Sequence, residues 1–192
     1  NRTVSTWNGN TSINDSLTAT VTGLTRSANE NVGTYNITGG NATLSGANVG
    51  NYNNPTFNAA IGNTTAALTI TKADASFQLS NATQLSKVYG ANDPSLGGLN
   101  ATVSGAINRN VTTWYGSANI SDSLTATVTG LTRSANENVG TYNITGGNAT
   151  LGGTGAANYN NPTFNAAIGD GTAALTITKA DASFQLSNAS QL

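Results

Sequence analysis

Leu24–Leu44 reads LTRSANENVGTYNITGGNATL, and the same 21 letters return unchanged at Leu131–Leu151. Each copy is rich in Asn, Thr and Gly and carries two charged residues, Arg26 and Glu30 in the first and Arg133 and Glu137 in the second. Within it, TYNIT places Tyr35 and Ile37 on one side of an extended chain, and the Gly39-Gly40 pair marks a break. Strand alternation continues on both flanks. In SLTATVTGL, Leu17, Ala19 and Val21 alternate with threonines; in AALTITK, Leu68 and Ile70 alternate with Thr69 and Thr71. SFQLS sets Phe77 and Leu79 on one face, and NATVSG does the same with Ala101 and Val103. Asn54-Pro55 and Asn92-Asp93-Pro94-Ser95 read as turns. No window keeps a 3.6-residue apolar period. The one helical turn expected is at Arg26–Asn31, where Arg26 and Glu30 stand four apart.

Working outward, the identity extends well beyond the quoted stretch. Residues 1–85 and 108–192 pair at a constant offset of 107 with no gap, and 70 of the 85 pairs are identical. Most substitutions gather at Asn8–Asn14 against Tyr115–Ser121 and at Ser45–Gly50 against Gly152–Ala157, both of which read as loops. A period near 107 is too long for a solenoid unit and fits one small domain per repeat. Placing the boundaries at the ITKA motif gives a copy lacking its beginning at 1–72, a complete repeat at 73–179 and the start of another at 180–192. The chain begins at Asn1 rather than Met, so it is expected to be an excerpt of something longer. A repeat without its beginning would leave a sheet edge unpaired, which invites pairing with the SFQLSNASQL tail of another chain.

Composition narrows the function classes. Charged residues make up 8% of the chain, against roughly 25% in ordinary soluble domains, and the net charge is −1, so nothing points to nucleic acid or an anionic membrane. His, Cys and Met are absent, which removes the commonest general base, the thiol nucleophile and any disulfide framework. No apolar run is long enough for a membrane-spanning helix. The acids Asp15, Glu30, Asp74 and Asp93 show no local pairing that would nominate a carboxylate dyad, so no catalytic residue, metal site or cofactor is expected. Lys72, Lys87 and Lys179 lie near strands, where Lys–Asn isopeptide staples are conceivable.

The motifs KVYGANDPSL, ATVSG, LTRSANENVGTYNIT, ANYNNPTFNAA and ALTITKA, in that order, resemble the MBG (YDG) repeat family. One departure is the Ala-Asn-Glu-Asn run at 28–31 and 135–138, where a Gly-Glu pair is common. The resemblance implies tandem modules of large bacterial surface or secreted adhesins, with the repeats acting as stalk or spacer. Pattern and resemblance together lead us to expect an all-β chain of tandem, two-layer antiparallel β-sandwich domains, Ig-like or β-grasp-like. Its partners would be neighbouring repeats, with head-to-tail self-association through the incomplete copy. The alternatives are a module that binds a glycan or a host or matrix protein directly, or a subunit of an extracellular filament. For direct binding the candidate residues are Asn8, Asn10, Tyr115 and Asn119 in the variable loops. Trp7 and Trp114 could stack on sugars or fill a core. Asn-x-Ser/Thr sequons are dense, making Asn36, Asn41, Asn63, Asn81, Asn100, Asn110, Asn143, Asn148 and Asn188 candidate glycosylation sites.

Overall fold

A computed structural model of the 192-residue chain describes all residues except 62–63, 81–84, 98, 169–170 and 188–192. The candidate sequons at Asn63, Asn81 and Asn188 therefore lie outside the described residues. The protein is all-β, with several small, mostly antiparallel sheets. Its strands are β1 (Arg2–Thr6), β2 (Gly9–Ile13), β3 (Leu17–Arg26), β4 (Gly33–Gly46), β5 (Ala60–Ile61), β6 (Thr64–Thr65) and β7 (Ala67–Ile70). They continue as β8 (Ser76–Leu79), β9 (Leu85–Val88), β10 (Ala101–Ser104), β11 (Asn108–Thr113), β12 (Gly116–Ser121) and β13 (Ser123–Arg133). The last are β14 (Gly140–Thr154), β15 (Thr163–Asn165), β16 (Ala167–Ile168), β17 (Gly171–Thr172) and β18 (Ala174–Thr178). The chain forms two compact units: unit 1 is Asn1–Thr71 with the hairpin Arg109–Ile120, and unit 2 is Lys72–Asn108 with Ser121–Leu192.

The quoted stretch carries the end of the first strand, the turn and most of the long second strand of a hairpin in each unit. In unit 2, β13 pairs with β14 antiparallel from Ser123↔Thr154 to Arg133↔Ile144, with register shifts between Val128 and Gly130 and between Thr132 and Arg133. The β3–β4 ladder of unit 1 shifts at the equivalent places. Gly147 is required where the strands bend. A Cβ there would stand 2.9 Å from a Leu131 methyl and 3.2 Å from the Phe164 ring, so any side chain would displace both.

Unit 2 closes around β8. This strand pairs antiparallel with β10 on one side and parallel with β15 on the other. Phe77 and Leu79 of β8 form the core cluster with Val128, Ile144 and Ala173. Phe77 and Phe164 rings stack at 5.4 Å between centroids, tilted by 58°. A second sheet runs β13-β14-β18-β9, in which β9 is parallel to β18. The alternation of apolar residues predicted the inward faces of β8, β10, β14 and β18 correctly. The two parallel pairs were not expected, because alternation assigns a face and says nothing of a partner's direction.

Three local expectations need correction. Arg26–Asn31 is not helical. Arg26 ends β3, and its guanidinium donates to the carbonyls of Ser27 (3.1 Å) and Asn29 (2.8 Å), so those carbonyls serve the side chain and not a helical ladder. Asn29 and Asn136 both adopt φ 149, a conformation that suits glycine. The segments expected as loops at Asn8–Asn14 and Tyr115–Ser121 are largely strand, since β2 and β12 are the return strands of exposed hairpins. Their variability follows from exposure, not irregularity. Finally, Ala19 and Val21 of β3 were expected to face inward but are exposed.

That last difference is systematic. Val21 is 63% exposed while its equivalent Val128 is 8% exposed; Tyr52 and Phe57 are exposed while Tyr159 is buried and Phe164 half-buried. Residues 53–62 and 160–169 are identical, yet only the second set contains a strand that pairs with β8. Among the described residues of unit 1, no strand corresponds to β8, β9 or β10.

Candidate functional site

The most concentrated chemistry in unit 2 is a four-residue charge cluster built on the quoted stretch. Arg133 at the end of β13 binds Asp93 through two nitrogens, Nε to Oδ2 at 3.0 Å and a terminal nitrogen to Oδ1 at 3.1 Å. The same guanidinium bonds Glu137 and donates to the carbonyls of Ser134 (3.2 Å) and Asn136 (2.9 Å). Lys87 of β9 sends a nearly buried ammonium to Asp93 at 2.8 Å and Glu137 at 2.5 Å. The Tyr142 ring lies 5.6 Å from the guanidinium carbon. Two cations and two carboxylates thus neutralise one another and tie β9 and the Asp93 turn to the Arg133–Glu137 turn. Hydrogen bonds from Arg133 and then Lys87 hold the Asp93 carboxyl at about 2, and bonds from Lys87 and then Arg133 lower that of Glu137. The bonds to Asp93 and Glu137 raise Lys87 in turn. An isopeptide bond needs a neutral amine beside an uncharged acid or amide. Lys87 instead meets two carboxylates that stabilise its charged form.

Unit 1 uses the equivalent Arg26–Glu30 pair differently. The Arg26 guanidinium is buried between two tyrosine rings, 5.3 Å from Tyr35 and 4.7 Å from Tyr115, and bonds Glu30. Tyr115 donates its hydroxyl to Glu30 at 3.1 Å. The residues put forward for ligand binding therefore lie in two settings. Tyr115 is half-buried on Arg26, and Asn119 donates its amide to Asn110 across the β11–β12 hairpin at 2.7 Å. Asn8 and Asn10 sit exposed on the β1–β2 hairpin, where the Asn10 amide oxygen accepts from Ser5 at 2.9 Å. Trp7 at the hairpin tip is fully exposed, and Trp114 is exposed to a lesser degree.

Three further acids, Asp122, Asp15 and Asp74, hold loops in place. Asp122 accepts from the buried Tyr159 hydroxyl at 2.7 Å, and that hydroxyl accepts from the Ile107 amide at 2.8 Å. Burial, then the bond to Asp122, pushes the Tyr159 phenol up. In unit 1, Asp15 takes the Tyr52 hydroxyl at 2.8 Å and the Asn48 amide at 2.5 Å, and these bonds, Asn48 first, lower its carboxyl. Asp74 accepts from Asn160 at 2.7 Å. Among the described residues, no group of three His, Cys, Asp or Glu side chains converges as metal ligands would. Asn36, Asn41, Asn100, Asn110, Asn143 and Asn148, the described candidate sequons, all lie on exposed positions.

Sequence reading named Asp93 as a turn residue and as an acid with no local carboxylate partner, and saw no role for Lys87 beyond a staple. The cluster joins two local pairs, Lys87–Asp93 and Arg133–Glu137, that lie 40 or more residues from each other, so no local spacing announces their meeting. A scan against protein-family models, a search of curated proteins and a search of solved structures return no match.

Proposed function

We propose that this chain is a spacer segment of a bacterial surface or secreted adhesin, built from MBG-like repeats that each fold as a small two-layer β-sandwich. The repeats would lie outside the cell and hold a distal binding region away from it, with neighbouring repeats as their main partners. The observation that carries this reading is the 107-residue repeat: 70 of 85 pairs are identical and most of the differences sit in two short segments. Such copying multiplies length without altering chemistry, which suits a mechanical role. The charge economy supports it too, since the acids with described partners are spent on internal pins and ion pairs. Nothing favours catalysis over this reading. Direct binding through the hairpin residues draws less support, because Tyr115 and Asn119 are engaged internally. Exposed sequons on the repeats suit a glycosylated extracellular stalk.

Small-angle scattering on chains lengthened by one, two and three further 107-residue repeats tests the proposal. A spacer gains a constant increment in maximum dimension per repeat. A dimension that stops growing, or saturable glycan or matrix-protein binding abolished by changing Asn8 and Asn10, overturns it.

A further inference from the structure

Unit 1 carries an apolar groove of about 280 Å³ lined by Ala19, Val21, Leu24, Ala42, Pro55 and Phe57. Adding the 107-residue offset turns Ala19, Val21, Leu24, Ala42 and Phe57 into Ala126, Val128, Leu131, Ala149 and Phe164. These five belong to or pack against the unit 2 core cluster that contains Phe77 and Leu79. The groove therefore has the lining of a β8-type strand seat, and no strand among the described residues occupies it. The matching strand exists elsewhere in the chain. Residues 179–186 read KADASFQL, identical to 72–79. Phe77 and Leu79 are 1% and 0% exposed in unit 2, whereas their copies Phe184 and Leu186 are 89% and 76% exposed.

We infer that the Lys179–Ser187 segment of one molecule inserts into the unit 1 groove of a second copy of this chain. Phe184 and Leu186 fill the positions that Phe77 and Leu79 fill in unit 2. The donated strand runs parallel to Thr56–Asn58, in the register Thr163↔Ser76, Phe164↔Phe77, Asn165↔Gln78 shifted by 107. Thr56–Asn58 forms no strand in the isolated chain although its sequence is that of β15, so the donor supplies the missing template. The approach is also mapped out by unit 2. There Ala73 exchanges backbone bonds of 2.9 Å with Asn158 and Asn160, the Thr163 amide donates to the Ala75 carbonyl at 3.0 Å, and Asp74 accepts from Asn160. Ala180, Asp181 and Ala182 would meet Asn51, Asn53 and Thr56 in the same way. Donor and acceptor are different surfaces, so the contact is heterologous and propagates from copy to copy unless a ring closes. The inference stands on the groove and the tail alone and does not require the spacer reading.

The test is sedimentation velocity on the 192-residue chain across a wide concentration range, alongside the double variant F184D/L186D and the groove variant V21D. All three substitutions fall on exposed side chains, so folding is preserved. The wild type is expected to associate with increasing concentration, and each variant to weaken association roughly a hundredfold through loss of buried apolar contacts. A synthetic KADASFQLS peptide should bind F184D/L186D one to one and shift the Thr56–Asn58 amide resonances, and V21D introduced into that variant should abolish both effects. A wild type that stays monomeric at millimolar concentration, association untouched by the variants, or a monomer whose tail occupies its own groove would each overturn the inference.

Discussion

Replacing Phe77 by Ala in unit 2 and Phe184 by Ala in the tail makes the same chemical change in two identical sequences. Phe77 is enclosed by Leu79, Val128, Ile144 and Ala173 and stacks on Phe164 at 5.4 Å. Removing a buried phenyl ring forfeits its transfer free energy and leaves a cavity that a rigid sheet pair refills poorly, costing about 3–5 kcal/mol. Phe184 touches bulk solvent over most of its surface, so F184A should cost less than about 0.5 kcal/mol. In a unit of about a hundred residues each kcal/mol lowers the melting temperature by roughly 4–8 °C. F77A is therefore expected to lower one calorimetric transition by roughly 15 °C or more, or to remove it, while F184A leaves both transitions in place. The scans belong in dilute protein, where strand donation does not contribute. Equal effects of the two substitutions would refute the claim that β8 is the keystone of its unit.

Gly147→Ala should destabilise unit 2 by about 1–3 kcal/mol in chemical denaturation, because its methyl meets Leu131 and Phe164 at 2.9 and 3.2 Å. Tyr159→Phe removes a buried hydroxyl shared by Asp122 and the Ile107 amide and should cost about 1–3 kcal/mol, whereas Tyr52→Phe at the exposed equivalent should cost markedly less. Asp93 has its carboxyl lowered from 3.8 to about 2 in the folded state, so the stability it contributes is present above pH 4 and is lost as pH falls through 2. Because Asp93 is half exposed, that contribution is about 1 kcal/mol or less, and Asp93→Asn should flatten the pH dependence of unit 2 unfolding over this window. Glu137 shifts in the same direction and adds to the acid-side loss, while the raised Lys87 contributes stability that is lost only as pH rises above 10.5. These are read from urea midpoints at several pH values, with half-molar salt weakening the effect.

Much of the fold was legible because alternation is a local signal. Tyr142, Ile144, Leu175, Ile177, Phe77 and Leu79 could be assigned inward from two or three neighbours each, and all are buried or half-buried. The direction of β15 and β9 was not legible, since a parallel partner is chosen by the path of the whole chain. The Arg26–Glu30 spacing misled because two residues four apart also meet when a turn wraps around a guanidinium. The Lys87–Asp93–Arg133–Glu137 cluster stayed hidden for the opposite reason, as its two local pairs meet only after β9 joins β18. Val21 carries the sharpest lesson. Its own sequence prescribes burial, but burial needs a β8-type strand, and none is found among the described residues of unit 1.

The same stretch, NYNNPTFNAAIG, occurs directly after Gly50 and directly after Ala157, and the Gly/Ala difference gives peptic fragments of distinguishable mass. Hydrogen exchange on these two fragments tests most directly the claim that a repeat is completed by a KADASFQL strand. The account predicts that in dilute protein the fragment containing Phe164 is protected and the one containing Phe57 exchanges fast, and that added KADASFQLS peptide protects the Phe57 fragment. Equal protection of both fragments without peptide, or no gain at Phe57 with it, would contradict the account.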